Sequence, residues 1–190
     1  MNNLSHGRWS TRPVLLVVGL LACSSGRAGD GPAPASPWAW TGDAAGLRCL
    51  NLCQLDQLFR ASTIHEWPRG FYPGEVLAFA NMPVPDVVRD VANNHWKGKH
   101  FGTDGSFTNQ WKHRTALTSC LKVGPSFLDG QPCFICEYPR LTPLFGPMRD
   151  EYREIAPGVL LGRQYRRTPI VKFLGYNVMQ HSGCETGCAR

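Results

Sequence analysis

Nowhere in the 190-residue chain is there an apolar run of the roughly 18 residues that a membrane-spanning helix needs, which excludes a polytopic membrane protein. The sequence also lacks a G-x-S-x-G nucleophile elbow, a P-loop, a glycine-rich dinucleotide fingerprint and an H-E-x-x-H motif. Its serines are isolated, and no triad can be traced among them. His65, His95, His100 and His113 are scattered without the i, i+4 pairing of a metal-binding helix, so no metal and no cofactor is expected. Charge is sparse too: 18% of residues are charged, and the net +6 is spread too thinly to indicate a nucleic-acid partner. What the chain does have is 43% hydrophobic residues, enough for one domain with a core, and 15 Pro and 20 Gly, which favour short elements and many turns.

The first residues carry an address. Met1 to Pro13 is polar with Arg8 and Arg12, and Val14 to Ala22 is a continuous apolar stretch, the plan of a signal peptide over residues 1–22. Leu20-Leu21-Ala22-Cys23 resembles the lipobox of bacterial lipoproteins, in which the cysteine is acylated and becomes the mature N-terminus. Ordinary cleavage near Ala22 is the alternative, and leaves a secreted protein. Residues 23–45, rich in Gly, Ser, Pro and Ala, read as a flexible tether, with Trp38 and Trp40 able to dock onto the domain.

Eight cysteines in an exported chain imply disulfides. Cys49 and Cys53 are one helical turn apart, and Cys184 and Cys188 repeat that spacing in the tail 181–190, so two bridges joining the ends are the simplest arrangement. A four-cysteine zinc site is the alternative, although the x3 spacing is unusual for it. Cys133 and Cys136 have redox-motif spacing in an apolar run without the expected strand-to-helix context. They read as buried thiols or as partners of Cys120.

Leu47, Leu50, Leu55, Leu58 and Phe59 recur at helical spacing over 46–62, with Asp43 as a possible cap. Pro68 to Pro73 breaks the chain, Glu75 to Ala80 is a short apolar element of undecided type, and Pro83 to Asn94 reads as a second helix with Val84, Val87, Val88 and Val91 on one side. From 95 to 180 the pattern becomes that of a sequential antiparallel sheet: 96–101, 107–112, 115–123, 133–138, 149–155, 159–166 and 170–178, with tight turns at Asp129-Gly130 and Pro157-Gly158. Seven strands with short links predict a mainly β fold, a small antiparallel up-and-down barrel preceded by one or two short helices. Residues 46–94 are then a helical segment packed on that barrel.

The segment Arg149-Asp150-Glu151-Tyr152-Arg153-Glu154 alternates so that either register places charge inside the barrel. This predicts an internal Arg–carboxylate network or a polar ligand completing it. Lys97 and Lys99 share one face by strict alternation and are expected in solvent, while Trp96 plugs a barrel end. Arg163, Arg166, Arg167 and Lys172 form a basic cluster that either meets anionic headgroups or is a solvated rim.

Trp96-Lys97-Gly98-Lys99, Arg149-Asp150-Glu151-Tyr152-Arg153 and Pro157-Gly158-Val159-Leu160-Leu161-Gly162 together resemble uncharacterised lipocalin-like proteins similar to the bacterial family named for its G-x-W-x-G motif. The resemblance covers about residues 94–178 and implies a small barrel, marking Trp96, Gly98, Lys99, Arg149, Asp150, Arg153 and Gly162. Three functions fit these residues. The first is a lipid-anchored or secreted barrel holding a small apolar or amphipathic ligand, with Phe134, Leu161 and Phe173 or their opposite-face neighbours as apolar contacts. Trp96, Lys99, Arg149, Asp150 and Arg153 would then be its ligand residues, with Arg149 and Arg153 on an anionic head. The second is an enzyme using Asp150 or Glu151 as acid or base. The third is an interaction module whose interior is filled by side chains.

Overall fold

Eight antiparallel strands follow one another around a closed barrel in the computed structural model, which describes residues 44–80, 85–138, 147–167 and 169–182. Two helices, α1 (Ala44–Arg48) and α2 (Leu52–Ala61), precede β1 (Gly70–Phe79). Helix α3 (Pro85–His95) leads into β2 (Trp96–Phe101), β3 (Ser106–Trp111), β4 (Thr115–Pro125), β5 (Pro132–Tyr138), β6 (Met148–Ala156), β7 (Val159–Arg166) and β8 (Lys172–Gln180). Each strand pairs with the next, and β8 closes on β1. This is the expected up-and-down barrel with short helices before it.

The barrel starts earlier than the sequence pattern suggests. β1 lies inside the segment expected to be helical, within and just after the Pro68–Pro73 break. Pro73 is tolerated because the strand changes partner there. Gly70 to Pro73 pair with β2, and Gly74 to Phe79 pair with β8, so the residue without an N–H sits where one ladder ends. The single helix expected over 46–62 is two. Asn51 accepts from the Gln54 amide at 3.0 Å while its own amide donates to Gln54 Oε1 at 2.9 Å, a capping box that starts α2 afresh. In α3, Val87 and Val91 face solvent and not the core; Ala92 packs inward, and Asn93 ties the helix to the Val76 backbone at 2.6 and 3.0 Å.

Alternation sorts the core into two clusters. Inside the barrel lie Tyr72, Val76, Trp96, Phe101, Phe107, Leu121, Phe134, Cys136, Tyr138, Tyr152, Leu160 and Met179. An eight-stranded barrel has an interior just wide enough for side chains to fill, and these fill it. A Cβ on Gly74, for example, would lie 2.6 Å from the Trp96 ring. Outside, Leu47, Leu55 and Phe59 of α1 and α2 pack on Leu77, Cys133, Ile135, Val159, Leu161, Tyr176 and Val178. Phe134 is thus interior as expected, whereas Leu161 and Phe173 belong to the layer beneath the helices.

Cys133 and Cys136, an odd number of positions apart on β5, fall in different layers, Cys133 outside and Cys136 inside. Both are buried thiols, and burial raises both pKa values, that of Cys133 to about 12. The bridge to Cys120 is not formed; Cys120 is exposed on β4. Among the described residues there is no disulfide. Cys23, the tether as far as Asp43, Pro83, Val84, Cys184 and Cys188 lie outside the described residues, so the end-to-end bridges and the anchor are expectations only; Ala44 and Ala45, the last two residues read as tether, begin α1.

Consecutive strands alternate direction, so the connections fall at two ends. The β1–β2 connection with α3, the β3–β4 turn and the β7–β8 turn share the helix end. The β2–β3, β4–β5 and β6–β7 turns, the entry to β1 and the exit from β8 share the other, open end.

Candidate functional site

Trp96, Lys99 and Asp150 do come together, in the interior. The register of β2 slips between Trp96 and Gly98, a bulge with Gly98 at φ +125°. The slip turns Trp96 and Lys99 to the same inner face and leaves Lys97 outside, so Lys99 is only 1% exposed, contrary to the expectation from strict alternation. Its ammonium uses all three donors: Asp150 Oδ2 at 3.0 Å, Asn109 Oδ1 at 2.8 Å and the Tyr138 hydroxyl. The rings of Tyr138, Phe107, Trp96 and Tyr152 surround it at 5.0, 5.4, 5.6 and 5.8 Å.

Trp96 Nε1 donates to Asn109 Oδ1 at 3.0 Å, and Asn109 Nδ2 donates to the Tyr138 hydroxyl at 3.1 Å. The Tyr138 and Tyr152 hydroxyls donate to Asp150 Oδ2 at 3.1 and 3.3 Å. Burial, reinforced by the Asp150 charge, holds both phenols well above their usual pKa, so they remain donors. Asp150 Oδ1 and the side-chain amide of Asn177 are buried without a hydrogen-bond partner among the described residues.

Arg149, Glu151 and Arg153 point the other way. The expected interior Arg–carboxylate network is instead an outer one, buried because α2 and the 126–131 turn cover that face. Arg149 pairs with Glu151 at 2.8 Å, donates to the Pro125 carbonyl and lies 4.1 Å from the Phe127 ring. Glu151 accepts from Ser126 Oγ and the Phe127 amide. Arg153 grips Asp129 with two bonds of 2.7 and 2.8 Å and donates to the carbonyls of Phe59, Gln131 and Pro132, each at 3.0 Å. The guanidinium of Arg153 holds the Asp129 carboxyl below its usual pKa. These residues clamp the turn and α2 to β6, and nothing leaves them facing a ligand in the barrel. Arg163, expected in the basic rim, is buried as well, paired with Asp56 and the hydroxyls of Tyr165 and Tyr176.

The open end carries a cleft of about 1030 Å³. Tyr72 and Leu160, members of the interior cluster, form its floor. The link between α2 and β1 crosses one side, fastened where the Glu154 amide donates to the Thr63 carbonyl at 2.8 Å. This link presents His65, Glu66, Trp67 and Arg69 to the cleft, and the β6–β7 turn and His181 complete the rim. Trp67 packs its ring 5.7 Å from that of Phe134 yet remains 46% exposed. Sequence reasoning passes over these residues as a Pro-bounded break; a Trp among charged residues in a short link is the signal available.

No family model matches the chain, the G-x-W-x-G family included, and no curated protein is similar to it. Among solved structures, the crystal structure of a protein from Thermomonospora curvata is similar at 10% identity and a TM-score of 0.49, covering 70% of this chain and 88% of that one.

Proposed function

We propose that the protein is an exported binding protein that takes a small amphipathic molecule in the cleft at the open end of its barrel. The observation that carries this reading is the cleft itself. Its volume suits a small molecule, and it sets an apolar floor and a half-exposed indole beside polar groups. The apolar part of the ligand rests on Trp67, Tyr72 and Leu160. Its polar head meets Arg69, His65 and His181, which take the role that the sequence pattern gives to Arg149 and Arg153. The leader over residues 1–22 and the lipobox-like Cys23 support export and a membrane anchor.

The filled interior argues against a ligand beside Lys99, and favours an interaction module over an interior-binding barrel. Acid–base use of Asp150 would need substrate to reach a carboxylate that is 2% exposed, and Glu151 lies on the opposite face.

Trp67→Ala is expected to weaken binding of the amphipathic probe anilinonaphthalene sulfonate at least ~tenfold, with Arg69→Ala weakening it about fivefold. Both residues are exposed, so the melting temperature should stay near that of the wild type. Fluorescence titration measures both affinities. Unchanged affinity in both variants would remove the cleft from the account.

A further inference from the structure

The helix end of the barrel has a character of its own. Seven large apolar side chains are exposed among the described residues, and four of them, Val87, Val91, Ile170 and Val171, belong to the two connections α3 and β7–β8 at that end. Ile170 is 77% and Val171 46% exposed, side by side at a hairpin tip, where monomeric proteins seldom spend apolar surface. Around the Ile170–Val171 tip cations predominate. The β3–β4 turn is Lys112-His113-Arg114, all exposed, and the β7–β8 turn lies between Arg167 and the exposed Lys172. Neither turn contains a carboxylate. The acidic groups nearby are engaged with cations, though not one for one: Glu137 pairs with Arg167 at 2.8 Å and Lys122 at 3.3 Å, while Arg89 alone serves both Asp86 at 2.8 Å and Asp90 at 3.3 Å.

We infer that this end docks on an anionic lipid surface. Apolar side chains at a hairpin tip enter the headgroup layer while the surrounding Lys, His and Arg meet phosphate, the combination that holds proteins at a bilayer interface. A nucleic acid or another polyanion would use the cations but give no role to the Ile170–Val171 tip. Because the cleft opens at the opposite end, docking leaves it facing away from the membrane. The inference does not depend on what the cleft binds.

The test is co-sedimentation of the full chain carrying Cys23→Ser, which removes any acyl anchor, with vesicles of phosphatidylcholine alone or mixed equally with phosphatidylglycerol. The N-terminal segment is the same in every variant, so differences report the barrel end. Binding to the anionic vesicles is expected, with at least ~tenfold loss in Ile170→Asp/Val171→Asp. Lys112→Gln and Lys172→Gln should each weaken it about fivefold. Four results would overturn the inference: no difference between the two vesicle types, no binding, salt-sensitive binding indifferent to Ile170→Asp/Val171→Asp, or a dimer in solution that this substitution dissolves. Thermal melting of each variant confirms that the barrel is intact.

Discussion

Asp150→Asn is expected to destabilise the fold by about 3–5 kcal/mol, because it leaves the Lys99 ammonium charged and unpaired inside the barrel. Lys99 is 1% exposed, and the substitution removes the only carboxylate it touches among the described residues. Asn109 and Tyr138 would still accept two of its protons, but neither carries charge to offset desolvation. Replacing the cation as well should recover part of the loss. In Lys99→Met/Asp150→Asn the methionine keeps the stem's volume among the aromatic rings, and the new amide oxygen can still accept from Tyr138 and Tyr152. The double variant should therefore be more stable than Asp150→Asn alone, a coupling that urea unfolding of the two singles and the double measures directly. A loss under about 0.5 kcal/mol in Asp150→Asn would show that the pair is not buried together.

Gly98→Ala should be comparably severe, and for a reason separable from backbone preference. Both Gly98, at φ +125°, and Gly105, at φ +79°, hold conformations that L side chains disfavour. A Cβ on Gly105 meets nothing within 4 Å, so Gly105→Ala carries only the conformational term, about 1 kcal/mol. A Cβ on Gly98 would sit 2.0 Å from the Tyr72 carbonyl oxygen, 2.8 Å from the Gly74 nitrogen and 3.0 Å from the Pro73 carbonyl carbon. All three are backbone atoms of β1, which is held on its other edge by β8, so the clash is relieved only by breaking the β1–β2 ladder. The expected loss exceeds about 4 kcal/mol, a fall of roughly 10 °C or more in melting temperature, against a few degrees for Gly105→Ala. Equal effects of the two substitutions would mean that the bulge does not press on β1.

These two positions also show what is legible in the chain. Seven of the eight strands follow from alternation and from turn signals such as Asp129-Gly130 and Pro157-Gly158, because those are local effects. β1 escapes because a Pro is read as a break unless the change of ladder partner at Pro73 is known, and that change depends on β8, a hundred residues away. Charge inside the barrel is legible from the alternation of β6, but which face carries it is not: the interior residue is Asp150, and its partner is a lysine that alternation puts in solvent, because one bulged residue reverses the facing of everything beyond it. Arg149, Glu151 and Arg153 were bound to lie opposite Asp150. Only the long-range cover of α2 and the 126–131 turn makes their face a buried one. The cleft depends on a link, a turn and a C-terminal residue meeting at one end, and no local pattern announces that.

The most direct test of the central claim follows the indole N–H signals by NMR while anilinonaphthalene sulfonate is added, with Trp67 and Trp96 assigned by substitution to Phe. One indole lies in the cleft, and the other is buried on Asn109 in the interior. Binding at the open end predicts that the Trp67 signal moves with saturation while the Trp96 signal stays in place. Movement of the Trp96 signal with Trp67 unaffected would put the ligand inside the barrel and contradict the account.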